Sequence, residues 1–214
     1  MTENDVLKII MQRLGPGWPL PKITEELQGV LLDISSRADF LTAKSTISTV
    51  DGQSEYNQPE NLKNIYELAI EGGAVLDKKT YRQFLNHWKG LISPTKGTPT
   101  EYAMRHKNLY LWPIPDGIYQ VKADYSIYHP TVFTDIFFGS EFYEAIYEGV
   151  LAALMRGQFW TKSDSSQTNK NFFRNVNGQA EAEKHSDAYE AEIAKLIANL
   201  DVETETTFVE YRDI

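Results

Sequence analysis

The chain predicts an α+β fold, a helical bundle formed by its N- and C-terminal helices with a central antiparallel β-meander. Three observations carry this. Apolar residues recur at helical spacing near both ends of the 214 residues, while period-two alternation is confined to the middle. No internal repeat at solenoid or propeller spacing is present, and helices clustered at the ends suit α+β over a βαβ series.

A first helix is expected over about 2–14. Thr2 followed by Asp5 resembles a capping box, Val6, Ile9, Ile10 and Leu14 keep helical spacing, and Gly15-Pro16-Gly17 stops the chain. Gly17 to Pro21 reads as rigid and extended, because each proline restricts itself and its predecessor. A second helix follows over about 24–41, with Leu27, Val30, Leu31, Ile34, Ala38 and Leu41 on one face.

A β-rich insertion spans about 43–128. Ala43 to Val50 reads as a strand ending at the Asp51-Gly52 turn, Tyr56 to Pro59 as a short extended piece, and Asn64 to Ile70 as a strand turned by Gly72-Gly73. A short helix from about Thr80 to Trp88 groups Tyr81, Phe84, Leu85 and Trp88. Tyr102 to Arg105 and Asn108 to Trp112 flank a tight turn at His106-Lys107, and Pro115-Asp116-Gly117 is a further turn. Ile118 to Tyr128 then alternates Tyr119, Val121, Ala123, Tyr125 and Ile127 against polar neighbours, the pattern of a meander with one buried face.

The strongest helix covers about 140–157. Phe142, Ile146, Gly149, Val150, Ala153 and Leu154 form its stripe, and Ala145, Gly149, Ala152 and Ala153 permit close packing. Thr161 to Lys170 is polar and reads as a loop, and a last helix is expected over about 179–200. The organisation is therefore a single domain over 1–200 and a tail over 201–214. That tail mixes acidic residues with Phe208, Val209, Tyr211 and Ile214, so it is not simply solvated.

Composition narrows the function classes. With no cysteine, neither a disulfide frame nor a thiolate metal site can form, which suits a reducing cytoplasm. The net charge of −9 and the absence of a Lys/Arg-rich run make a general duplex-DNA binder a poor reading. No segment approaches the roughly 20 apolar residues of a bilayer span. The acidic start is the reverse of a secretory signal, so a soluble, unprocessed chain is expected.

Nothing marks an enzyme. His87, His106, His129 and His185 are far apart and form no ligand pair, so no metal and no cofactor are expected. No Gly-x-Ser-x-Gly elbow or phosphate-cradling loop occurs. Carboxylate pairs such as Asp135 with Glu141, or Asp33 with Asp39, read as solvated faces. Aromatic residues are the unusual component, with Tyr 12, Phe 10 and Trp 4. Tyr110, Trp112, Tyr119 and Tyr125 read as core. Trp18, Phe133, Phe137, Phe138, Phe159, Trp160, Phe172 and Phe173 are open to two readings, core or subunit interface.

One ordered series of segments resembles the phage adaptor, or head–tail connector, family. A helix ending Ser36-Arg37-Ala38-Asp39-Phe40-Leu41 leads to a Thr/Ser-rich strand and Asp51-Gly52-Gln53-Ser54-Glu55-Tyr56-Asn57-Gln58-Pro59. Then come Tyr81 to Leu85, Gly97 to Ala103 and Leu109 to Gly117, and the series closes with the Tyr119–Tyr128 strand and the Phe142–Met155 helix. The resemblance covers roughly 20–157. Gln58 departs from the usual apolar residue before Pro59, and Thr161 to Asn177 is longer than the family pattern.

The resemblance implies a non-enzymatic virion protein of the neck, assembled in the host cytoplasm. It would form a homo-oligomeric ring, commonly twelvefold, docked on the portal protein and joined to a downstream tail or nozzle protein. DNA would only pass through the channel. A cyclic ring needs two complementary faces per subunit. The eight open aromatics, together with Phe208, Val209, Tyr211 and Ile214, are the expected interface residues. Rival readings are a tail-associated carbohydrate-binding module and a cell-wall hydrolase.

Overall fold

The computed structural model describes residues 2–14, 18–87, 95–131, 135–160 and 178–210, and among these the side chains other than those of 3, 157–160, 178, 179 and 201–210. Its elements are α1 (Glu3–Leu14), α2 (Leu20–Arg37), β1 (Thr42–Ser48), β2 (Glu55–Asn57), β3 (Leu62–Ile70) and β4 (Asp77–Lys79). They continue as α3 (Tyr81–Asn86), β5 (Glu101–Arg105), β6 (Asn108–Trp112), β7 (Gln120–Ile127), α4 (Tyr143–Trp160) and α5 (Gly178–Glu210). The chain divides into a helical unit, Met1–Phe40 with His129–Ile214, and a β unit, Leu41–Tyr128.

In the helical unit α1 begins as expected: the Asp5 N–H donates to Thr2 Oγ1 at 3.3 Å and the Thr2 hydroxyl donates to the Asp5 carboxylate at 2.6 Å. Its buried stripe is Val6, Leu7 and Ile10, whereas Ile9, expected inside, is exposed. Helix α2 starts at Leu20, ahead of the expected start, with Pro21 in its first turn. A proline there sacrifices no bond, since first-turn N–H groups have no helical acceptor. The helix ends at Arg37, where Ala38 turns extended, so Ala38 and Leu41 lie off the predicted face. Ile23, Leu27, Val30, Leu31 and Ile34 supply the buried side.

A 3₁₀ turn, Ser140–Phe142, opens α4, which packs against both α2 and α5. Phe142, Ala145, Ile146, Val150, Leu151, Ala152 and Leu154 are buried along it. Gly149 makes the crossing possible: a Cβ there would stand 2.8 Å from Val30 Cγ1 and 3.0 Å from the Tyr189 ring. Helix α5 does not stop at Leu200 but runs 33 residues to Glu210. No Gly or Pro interrupts 179–210, so nothing in the backbone chemistry ends it earlier. The predicted Thr161–Lys170 loop lies outside the described residues.

The described residues of the β unit form two sheets, ordered β1-β7-β3 and β2-β6-β5-β4. The antiparallel hairpin β5–β6 forms as expected, with His106 at positive φ in its turn. The third strand of the expected meander leaves it. β7 does not pair with β6 but lies between β1 and β3 as the centre of the other sheet. Pro113 to Tyr119 is long enough to carry the chain across, and local alternation cannot name the partner strand. β4, which pairs parallel to β5, was invisible because Asp-Lys-Lys carries no apolar alternation.

Leu68, Val121, Ala123 and Tyr125 of one sheet meet Tyr56, Tyr102, Leu109 and Leu111 of the other in a shared core. The second sheet is buried on both faces. Ala103, Trp112 and Ile114 pack with Phe84 of α3 on its far side, with Tyr81 and Tyr110 partly buried beside them. Adjacent residues such as Tyr102 and Ala103 are therefore both inside. Leu85 is 39% exposed, and Trp88 lies outside the described residues. Two register shifts in β3 mark bulges, and the Ser126 hydroxyl accepts the Asn64 N–H at 3.2 Å beside the first.

Candidate interaction surfaces

The expected interface residues are placed differently from one another. Phe137 is 53% exposed while its neighbour Phe138 is buried at 3%. Their common support is His129, itself buried: its ring stacks on Phe138 at 5.6 Å, and its Nε2 accepts the Phe137 N–H at 3.3 Å. The opposite nitrogen, Nδ1, donates to Pro130 O at 2.9 Å, which assigns the neutral Nδ1–H tautomer. Burial holds its pKa below the usual histidine value. Phe138 in turn contacts Phe142 at 4.7 Å, so this pair puts one ring into the core and one toward solvent.

Trp18 is half-buried just ahead of α2. Phe159 and Trp160 close α4, and Phe208 and Val209 lie on the last turns of α5, their backbones helical. Phe133, Phe172, Phe173, Tyr211 and Ile214 lie outside the described residues.

Among the described residues the most exposed large apolar side chain is one expected to lie on a strand. Ile118 is 77% exposed, and Val50, on the partnering loop, is 53% exposed. Buried Thr49 locks the two loops together. Its N–H donates to Tyr119 O at 2.9 Å, its hydroxyl donates to Gly117 O at 2.9 Å, and it accepts the Tyr119 N–H at 2.8 Å. The Gly52 N–H adds a bond to Pro115 O at 2.8 Å from a positive-φ turn. The Asp116-Gly117 turn was the available signal: a strand starting after it leaves Ile118 on the turn shoulder.

His87 and His185 serve packing and pairing. His87 stacks on Trp112 at 5.0 Å and meets Glu101 Oε2 at 2.8 Å, while His185 pairs with Glu148 across α5 and α4. Among the described residues no group of three or more His, Asp or Glu is arranged to hold a metal ion. None of their helices is long and apolar enough to cross a membrane. On the outer face of the β1-β7-β3 sheet charges are matched, Lys44 with Asp124 at 3.1 Å and Lys122 with Glu71 at 3.0 Å. Rigid loops carrying apolar tips suit contact with another protein surface.

A comparison with curated proteins finds no match. The profile of the SU10 adaptor protein family matches residues 1–209, nearly the whole chain. The chain therefore belongs to the SU10 adaptor protein family, and it is a structural adaptor of the phage particle.

Proposed function

We propose that this adaptor works in the neck of the virion, as a ring of identical subunits docked on the portal protein and joined on its other side to a tail or nozzle protein. The family match over 1–209 carries this reading. The side chains support it, because apolar groups stand in solvent on loops that hydrogen bonds hold rigid, as at Val50 and Ile118. Such groups cost little to desolvate and gain when a partner covers them.

In this reading the protein acts by contact, without catalysis or cofactor. Its assembly takes place in the host cytoplasm, its subunit number matches a twelvefold portal, and DNA slides through the channel without specific contact. Trp18, Phe137, Phe159, Trp160, Phe208 and Val209 are the described positions assigned to subunit or portal contacts, whereas Phe138 is buried. Thr206 to Ile214 reaches a neighbouring copy or the portal, a role consistent with α5 continuing past Leu200.

The test is to mix the purified chain with portal rings and image the product by electron cryomicroscopy. A ring of adaptor copies sharing the portal's symmetry is expected. A chain that stays a free monomer beside undecorated portals would overturn the reading. Truncation after Leu200 should abolish docking, and retained docking would remove the role given to the C-terminal residues.

A further inference from the structure

Among the described residues the three-stranded sheet has one long edge that no further strand joins. There β1 pairs with β7 alone, in an unbroken register from Thr42↔Ser126 to Ser48↔Gln120. Leu41 O accepts the Ile127 N–H and the Thr49 N–H donates to Tyr119 O, both at 2.9 Å. In an antiparallel ladder this alternation points the backbone groups of 41, 43, 45, 47 and 49 at β7. Those of Thr42, Lys44, Thr46 and Ser48 point away from it. No strand or bridge of the described residues takes up these outward groups.

The other edges are guarded in recognised ways. β3 is bulged, and the chain returns alongside it, with Leu76 N–H donating to Leu68 O at 2.7 Å and Ile70 N–H to Ala74 O at 3.3 Å. β2 and β4 have three residues each. β1 has seven residues, Thr-Ala-Lys-Ser-Thr-Ile-Ser, with no bulge or proline, and its one charge, Lys44, is paired to Asp124 within its own sheet.

The inward side chains of this edge are also incomplete. Ala43 and Ile47 are only partly buried against the core, and Ser45 Oγ is buried with no hydrogen-bond partner among the described residues. A buried hydroxyl without a partner is costly, so a second strand that supplied one would be favoured.

We infer that the β1 edge docks a second copy of this chain by antiparallel self-pairing about a twofold axis through Ser45. Ser45 is the midpoint of β1, so this register gives the greatest overlap of the strand with itself. Thr42 stands opposite the partner's Ser48 and Lys44 opposite the partner's Thr46, each pair exchanging both backbone bonds. Ser45 faces the partner's Ser45 in a close non-bonded pair on the inner face, where the two orphan hydroxyls satisfy each other. Ala43 packs on the partner's Ile47. A shift of the axis to Lys44 would oppose two like charges, which is unfavourable.

The product is a continuous sheet in the order β3-β7-β1-β1-β7-β3. A twofold contact closes on itself and cannot propagate a ring. The self-paired dimer is therefore a form of the free chain, separate from the neck assembly, and it stands whether or not the ring reading holds.

Because the chain has no cysteine, the register can be read by crosslinking. Under mild oxidation Ser45→Cys should give a disulfide-linked dimer, since a non-hydrogen-bonded pair brings Cα atoms to about 4.5 Å, within disulfide reach. Ala43→Cys should not, as its counterpart lies four positions away along the strand. Thr46 is exposed, so its charge variants should fold normally. Thr46→Glu, facing the partner's Lys44, should tighten the dimer and Thr46→Lys should loosen it, each by roughly two- to thirtyfold in sedimentation equilibrium. A chain that is monomeric at every concentration reached, equal crosslinking at 43 and 45, or charge variants that move association in the same direction would each overturn the assignment.

Discussion

The Tyr189 hydroxyl donates to Asp33 Oδ2 at 2.6 Å, tying α5 to α2 across a span of 156 residues in sequence. Burial first, and then the Asp33 carboxylate, push the phenol far above its ordinary pKa, so it stays a donor at any physiological pH. Arg37 completes the cluster, reaching Asp33 at 2.8 Å and gripping Glu190 of α5 at 2.6 and 2.9 Å. Tyr189→Phe keeps the ring and removes the bond. Since Asp33 is 43% exposed and can regain water, a loss near the low end, about 1–2 kcal/mol, is expected in urea unfolding. An unchanged midpoint would mean the bond contributes nothing.

Gly149→Ala sets two effects against each other. Alanine gains about 1 kcal/mol of helix propensity, but its Cβ would overlap Val30 Cγ1 at 2.8 Å, inside a packed crossing of three helices. Overpacking of this kind costs about 1–3 kcal/mol, so net destabilisation is expected, and Gly149→Val should be worse. Thermal melts of the two variants read the order directly.

His129 gives the helical unit a pH dependence with a defined sign. Its folded pKa is depressed by burial, so the folded chain binds fewer protons than the unfolded chain just below about pH 6.5. Stability is therefore fully present above that value and falls as the solution is acidified toward the depressed folded pKa. Protonation also places a proton on Nε2, where the Phe137 N–H must be accepted. His129→Gln should flatten this part of the curve of urea midpoint against pH between about 7 and 5. A wild-type curve of the same slope as the variant's would refute the role.

Helix α3 has only six residues and depends on its start. Thr80 Oγ1 accepts the Gln83 N–H at 3.3 Å, and the Gln83 side chain accepts the Thr80 N–H at 3.0 Å. Thr80→Ala should cost about 1 kcal/mol and loosen Phe84 from the second sheet. Hydrogen exchange across 81–86 is the sensitive readout.

Ile118→Asp and Phe137→Asp separate folding from docking. Both side chains are more than half exposed, so stability should stay within about 0.5 kcal/mol of the parent. Portal docking, in the proposed function, should weaken in both. Docking that survives in the double variant would clear these surfaces of any such role.

The sequence by itself determined the fold class, the position of most elements and most of the inward residues of α2, α4 and β7. These follow from local periodicity, and burial pattern and spacing agree at Leu27, Val30, Leu31, Ile34, Val121, Ala123 and Tyr125. Tertiary structure alone decided which strands meet, because alternation states that a strand has a buried face and never names the neighbour that buries it. Thus β7 left the expected meander for the sheet of β1 and β3. The same reason governs the surfaces. Phe137 and Phe138 are identical in composition and adjacent in sequence, yet the packing of His129 and Phe142 sends one outward and takes the other in.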